Sequence, residues 1–316
     1  MKYKLRSIFL LLITGISIVN GFAQNLTKPS IAFSFDDGNT NDILRYKADV
    51  WNAMIVNQLK KNNIRGIWFV CGSEMDNKKG KKLLQRWNQS GNILANHTYH
   101  HWNYSDSTIT TSTYINDISN CDSLIYGFKN HQKIFRCPYL EAGNTITKRD
   151  SLNEFFSHSN IKQGWITVDA FDWYFNSRLV EWLEVHPKAN LDKIKDFYIN
   201  NTFEKANYCH NLSLKLLGRP VKQTLLLHFN LSTALFLGDL INKFKSEGWQ
   251  IENYTDAIED SVYYTVQNTL PARQNLLWSI AKQKGEPEDV LMYLAENKNN
   301  EKEKIDKLGL FSFDKL

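Results

Sequence analysis

The feature that most constrains this chain is an alternation of short apolar runs with longer amphipathic stretches. Candidate strands are SIAFSF (30–35), GIWFVC (66–71), NILAN (92–96), KIFRC (133–137), GWITVD (164–169) and QTLLLHF (223–229). Between them lie stretches at helical spacing. One, from about 110 to 129, sets Tyr114, Ile115, Ile118, Cys121, Ile125 and Phe128 on a single stripe, which reads as core. Another runs from about 235 to 246 and stops at Gly248. Such a βα alternation predicts a parallel sheet or barrel. The 316 residues are 42% hydrophobic and 22% charged, a globular composition that excludes disorder, collagen and coiled coil. From Pro271 onward the pattern changes to short helical stretches, with the charge run EKEK at 301–304 expected on a solvated face.

The chain starts with Lys2, Lys4 and Arg6 ahead of an apolar run from Ile8 to Val19, then Gly21 and Ala23. This is the pattern of a secretory signal peptide, and the run is too short for the ~20 residues of a spanning helix. Residues 1–23 are therefore expected to be removed, which predicts a secreted or periplasmic protein without stable membrane insertion. Their loss takes three cations and no acids from a formal charge of +5, leaving +2. A nearly balanced chain gives no case for a nucleic-acid partner. None of Cys71, Cys121, Cys137 and Cys209 forms a CxxC pair, so zinc-finger and thioredoxin readings fail; buried free thiols are expected.

Chemistry concentrates at the C-terminal ends of the candidate strands, the edge where barrels and open α/β sheets build their sites. The first strand ends in Asp36-Asp37-Gly38, the third in His97-Thr98-Tyr99-His100-His101, and the fourth in Arg136-Cys137-Pro138-Tyr139. The fifth delivers Asp169-Ala170-Phe171-Asp172-Trp173 and the sixth His228. Two histidines four apart can share one metal, and a carboxylate from another strand completes a three-ligand set with an open position, the pattern of a catalytic site. Neighbouring carboxylates on an extended strand end point apart, so Asp36 and Asp37 can divide the work between metal and base. His228 is then available as an acid.

At these residues the sequence resembles the polysaccharide deacetylases, carbohydrate esterases that share the chitooligosaccharide deacetylase (NodB) homology domain. Ser34-Phe35-Asp36-Asp37-Gly38 is similar to the TFDDG motif, and His97 to His101 to the H(S/T)xxxH type. Arg136 to Tyr139 is similar to RxPY, Asp169 to Trp173 to DxxDW, and Leu225 to His228 to LxLH. The five motifs occur in order over roughly residues 28–260. The resemblance implies an α/β fold, a distorted (β/α) barrel of about seven parallel strands. With the N-terminal pattern and the change of character from Pro271, the chain is expected to divide into a signal peptide (1–23), a catalytic domain (24–265) and a helical C-terminal extension (266–316).

The resemblance further implies that Asp37, His97 and His101 hold the metal, Zn²⁺ or alternatively Co²⁺ or another divalent ion. Asp36 would be the general base toward the attacking water, with Arg136 paired to it and holding it ionised. Tyr139 would offer its backbone N–H to the tetrahedral oxyanion. His228 would protonate the leaving amine, oriented and charged by Asp169. Trp173 and Leu226 would wall the pocket for the acetyl methyl, and His100 would point away, exposed. The implied substrate and partner is an acetylated polysaccharide or oligosaccharide, peptidoglycan or chitin-like. An O-acetyl (xylan-type) esterase and a catalytically inactive sugar-binding barrel are the alternatives. Asn39, Leu140 and Phe229 depart from the family pattern and are expected around the cleft mouth. The Asn-x-Ser/Thr triplets at Asn96 and Asn230 border site residues, where a glycan would block access; this favours a bacterial setting.

Overall fold

A computed structural model describes residues 28–265, 268–294 and 298–311. The expected signal peptide lies outside the described residues. Eight strands form one sheet: β1 (Ser30–Asp37), β2 (Ile67–Val70), β3 (Ile93–Asn96), β4 (His131–Phe135), β5 (Lys162–Gln163), β6 (Val168–Asp169), β7 (Gln223–His228) and β8 (Gln250–Glu252). Their order is β5-β4-β3-β2-β1-β7-β6, and every pairing is parallel; β8 pairs with the first residues of β1. The sheet curls into a distorted (β/α) barrel that stays open between its two end strands, β5 and β6. Residues 164–167, expected within a strand, instead cross this gap. β8 was not foreseen, because three residues carry too little apolar signal.

Strand periodicity decides what faces where. In β1, Phe33 meets Phe244 edge-on at 6.0 Å and Phe35 meets Trp87 at 5.5 Å, so these side chains pack on the outer helices. Ser34 and Asp36, alternating with them, face inward toward Arg136. β7 obeys the same alternation in register with β1: Leu226 lies opposite Ser34 and His228 opposite Asp36. Phe229 therefore points outward. It stacks on Trp68 at 4.2 Å and touches Trp51, so it belongs to the core rather than the cleft mouth.

Helix Leu231–Ser246 starts where the side chain of Asn230 accepts from Thr233 N, and Gly248 follows its end at φ 81°. The Asn96 and Asn230 side chains are both buried in hydrogen bonds, leaving no room for a glycan at either. All four cysteines are free and buried, as expected. The C-terminal residues pack into the same core, through Leu276, Leu277, Ile280, Leu291, Leu294 and Ile305. The charge run at 301–304 is not wholly solvated. Glu301 is buried and pairs with the buried Lys205 of helix Asp192–Leu217 at 2.6 Å. No described helix is long and apolar enough to cross a membrane.

Candidate active site

The strand tips converge on a cavity of about 310 Å³ lined by Asp36, Asp37, His97, His101, Tyr139, Leu140, Trp173, Leu226 and His228. Its rim is strained. Of nine non-glycine residues with positive φ among those described, six sit at these tips: Asp37, Thr98, His101, Tyr139, Leu140 and Phe171. Such conformations persist only where the surroundings over-determine them, which is common at functional sites.

On one side of the cavity, one ligand atom from each of Asp37, His97 and His101 lies within 4.8 Å of the others. His101 Nε2 is 3.1 Å and His97 Nε2 3.6 Å from Asp37 Oδ1, which is buried yet accepts no well-directed hydrogen bond. An orphaned carboxylate oxygen facing two imidazoles fits a divalent cation. The tautomer fits too. His97 Nδ1 is 2.8 Å from the Arg136 carbonyl oxygen, so it donates there and leaves Nε2 as a lone-pair ligand. Burial pushes His97 down to about 3, keeping the ring neutral. Burial would raise the Asp37 carboxyl, but the facing His101, with His228 and His97, holds it below the usual range.

Asp36 lies behind this set. Arg136 is fully buried; it donates to Asp36 Oδ1 at 2.5 Å, to Ser34 Oγ at 3.0 Å and to the Gly164 carbonyl at 2.7 Å, while stacking over Phe69. Gly164 is required there, because a Cβ would fall 2.6 Å from the Phe69 ring. Pairing of Arg136 with Asp36 is as expected, but its effect is smaller. Burial outweighs the guanidinium and raises Asp36 to about 6, so the carboxyl is poised near neutrality. Tyr254, not singled out from sequence, lies 3.3 Å from Arg136 and donates to the Trp165 carbonyl.

His228 lines the same cavity from β7, in register with Asp36 on β1. Its orienting carboxylate is Asp172, not Asp169: Asp172 Oδ1 is 2.7 Å from Nδ1, and Oδ2 accepts the His228 backbone N–H. The reason is local. Asp169 Oδ1 is spent on the Phe171 N–H, which turns the chain so that Asp172, opening helix Asp172–Val185, reaches the imidazole. Asn230 and Thr233 donate to the same carboxylate. Burial alone would lower His228, but Asp172, with Asp37 and Asp36, carries it up to about 10. Asp169 is buried beside Lys205, and burial raises its carboxyl.

Tyr139 sits half-exposed at the rim, its ring 4.8 Å from that of His101. Leu226, Leu140 and Trp173 line the cavity, and the fully buried Ile166 packs with the two leucines as a small apolar cluster. His100 is exposed as expected, but it is also bound to Asp117 at 2.5 Å. Asp117 is a residue the sequence reading passed over. Buried on helix Thr111–Ile125, it also accepts the N–H groups of Tyr99 and His100 and so fixes the histidine loop. Its position three after Tyr114, on the apolar stripe, was the available signal.

Comparison with known proteins agrees with this arrangement. The family model described as polysaccharide deacetylase matches residues 23–155. A peptidoglycan-N-acetylglucosamine deacetylase of Bacillus cereus is 26% identical over 153 residues, 48% of this chain and 49% of that protein, so the match spans about half the relative's length. The peptidoglycan-N-acetylmuramic acid deacetylase PdaA of Bacillus subtilis is 23% identical over 236 residues, 74% of this chain and 73% of the relative. Among solved structures, a mutant of the Bacillus anthracis protein BA3943, described as a carbohydrate esterase family 4 pseudoenzyme with restored enzymatic activity, superposes with a TM-score of 0.52 at 18% identity. That match covers 74% of this chain and 68% of the other, and it speaks to the fold alone. Five ordered motifs meet at one cavity and the family model matches the region that carries the first three, so the chain is similar to the polysaccharide deacetylases.

Proposed function

We propose that the protein is a secreted, metal-dependent hydrolase that removes acetyl groups from N-acetylated sugars of a polysaccharide, peptidoglycan or chitin-like. The observation that carries this reading is a base and an acid lining a single cavity together with a cation-competent carboxylate and two imidazoles. A module that only binds sugar has no need of either proton carrier.

Asp37, His97 and His101 would hold the metal, Zn²⁺ or another divalent ion. When bound, such an ion supplies Lewis acidity and draws the pKa of a coordinated water down to about 7. The chain's own groups do the remaining work. Asp36, raised to about 6, accepts the proton of the attacking water, and Arg136 stabilises the carboxylate between turnovers. Leu226 and Trp173 receive the acetyl methyl, and Tyr139 offers its backbone N–H to the tetrahedral oxygen. His228, protonated at neutral pH and aligned by Asp172, gives its proton to the departing amine. An amine needs that proton more than a sugar alkoxide does, which favours amide over ester substrates.

The test is acetate release from N-acetylglucosamine oligomers, peptidoglycan and acetylxylan. Activity on the first two, abolished by a chelator and restored by Zn²⁺ or Co²⁺, is expected. Full activity in metal-free protein, or release from acetylxylan alone, contradicts the proposal.

A further inference from the structure

The sheet is open between β5 and β6, and the chain closes this seam with a segment from its C-terminal part, residues 271–276. Its backbone forms an antiparallel bridge between Arg273 and Glu141 and a parallel one between Asn275 and Ile166. Ala142 N–H donates to Ala272 O at 2.8 Å, and Ala272 N–H returns to Gly143 O at 2.7 Å. At the centre stands Gln274, fully buried. Its N–H donates to the Leu140 carbonyl and its carbonyl accepts the Ile166 N–H, at 2.8 and 3.0 Å. The side chain plugs the seam: Oε1 accepts Cys137 N–H at 2.6 Å, while Nε2 lies 3.4 Å from Phe135 O and 3.3 Å from Gln163 Oε1.

These partners are not arbitrary. Cys137 and Leu140 bracket the turn that carries Tyr139, where Tyr139 and Leu140 are consecutive non-glycine residues in the left-handed region, φ 58° and 57°. A turn of that kind needs outside restraint. Leu140 and Ile166, the two residues tied to the Gln274 backbone, are also two of the three side chains in the apolar cluster completed by Leu226. One residue therefore ties the turn to Ile166, which packs with the two leucines that line the cavity.

We propose that Gln274 is a positioning residue that sets acyl specificity: by fixing the spacing between the Tyr139–Leu140 turn and Ile166, it sets the width of the pocket that receives the acyl methyl. This rests on the deacylase reading of the cavity, but its structural half can be tested alone. Nothing in the motifs encodes it, since Gln274 lies outside the residues matched by the family model.

The experiment uses the full chain and the variant Gln274→Met, which keeps side-chain length and removes the hydrogen bonds. Hydrogen exchange is read at the Cys137, Leu140 and Ile166 amides, with Leu225 and Leu227 in β7 as an internal reference. Turnover is compared on aryl acetate and aryl butyrate. In the parent protein the three amides should be protected like β7. In Gln274→Met the Cys137 amide should lose protection while β7 keeps it, and the acetate-to-butyrate ratio of kcat/KM should fall by about 10-fold. Unchanged protection and an unchanged ratio overturn the proposal. If the variant fails to fold, the parent alone decides: Cys137 and Leu140 amides exchanging at exposed-loop rates overturn it, and protection equal to β7 sustains it. A parent protein without deacylase activity contradicts the proposed function, while the exchange data still decide whether Gln274 holds the turn.

Discussion

The two flanks of the cavity are built differently. The metal and base flank draws on residues close to the central strand tips, Asp36 and Asp37 on β1 and His97 just beyond β3, with Arg136 following β4. His97, Arg136 and Asp36 are fixed by short hydrogen bonds to backbone or to one another. The acid flank lies at the sheet's end, beside the open seam. His228 depends on Asp172 from a helix start, Asp172 depends on Asn230 and Thr233 from another, and the loop behind them leans on Lys205 and, through it, on Glu301. The first flank is a property of the sheet; the second is a property of tertiary packing. Damage to the first should therefore act on chemistry of every kind, and damage to the second should be graded.

The largest effect is expected at the base. Asp36→Asn should lower turnover by about 10²- to 10⁴-fold on amide and ester alike. Bound metal, measured by elemental analysis, should stay at the parent level, because Asp37, His97 and His101 are untouched. Loss of metal in this variant would place Asp36 among the ligands and erase the division between the two carboxylates.

A smaller, pH-dependent effect is expected at Asp172. Its carboxylate is what lifts His228 against burial. Asp172→Asn removes that charge, so the His228 pKa should fall and the alkaline limb of the amide pH–rate profile should move to lower pH. An alkaline limb that stays in place in Asp172→Asn, or moves instead in Asp169→Asn, would return the orienting role to Asp169.

The smallest effect on activity, but a large one on stability, is expected at Glu301. Glu301→Ala leaves Lys205 buried without its partner, which typically costs about 3–5 kcal/mol. Urea unfolding should show the loss, and the double variant Lys205→Met/Glu301→Leu should recover most of it. An unfolding midpoint unchanged by Glu301→Ala would mean that the C-terminal segment does not brace the acid flank.

This contrast also explains what was legible in the sequence. Strands of four or more residues with apolar runs were visible, and β6 as the end of the run at 164–169, whereas two-residue β5 and three-residue β8 carry almost no periodicity. The convergence of the proposed metal and base residues could be read because they are contiguous with strand ends and their spacing is local. Asp172 shares its motif with Asp169, and only the turn at Phe171 decides which of the two aspartates reaches His228. Phe229 was misplaced because strand alternation had not been applied past His228. Glu301 looked solvated within EKEK, and its partner Lys205 lies almost a hundred residues away in sequence, beyond any local pattern. Asp117 and Gln274 are single polar residues whose meaning is their burial, which sequence does not report.

The most direct measurement is the substrate split of His228→Ala. kcat/KM should be compared with the parent on N-acetylglucosamine oligomers and on an activated aryl acetate, with metal content as the control. A leaving amine requires the proton that His228 is proposed to supply, whereas an activated phenolate does not. Amide cleavage should fall by about 10²- to 10⁴-fold while much of the aryl ester activity survives. An equal loss on both substrates at full metal content would contradict the acid role, and with it the separation of the cavity into a base flank and an acid flank.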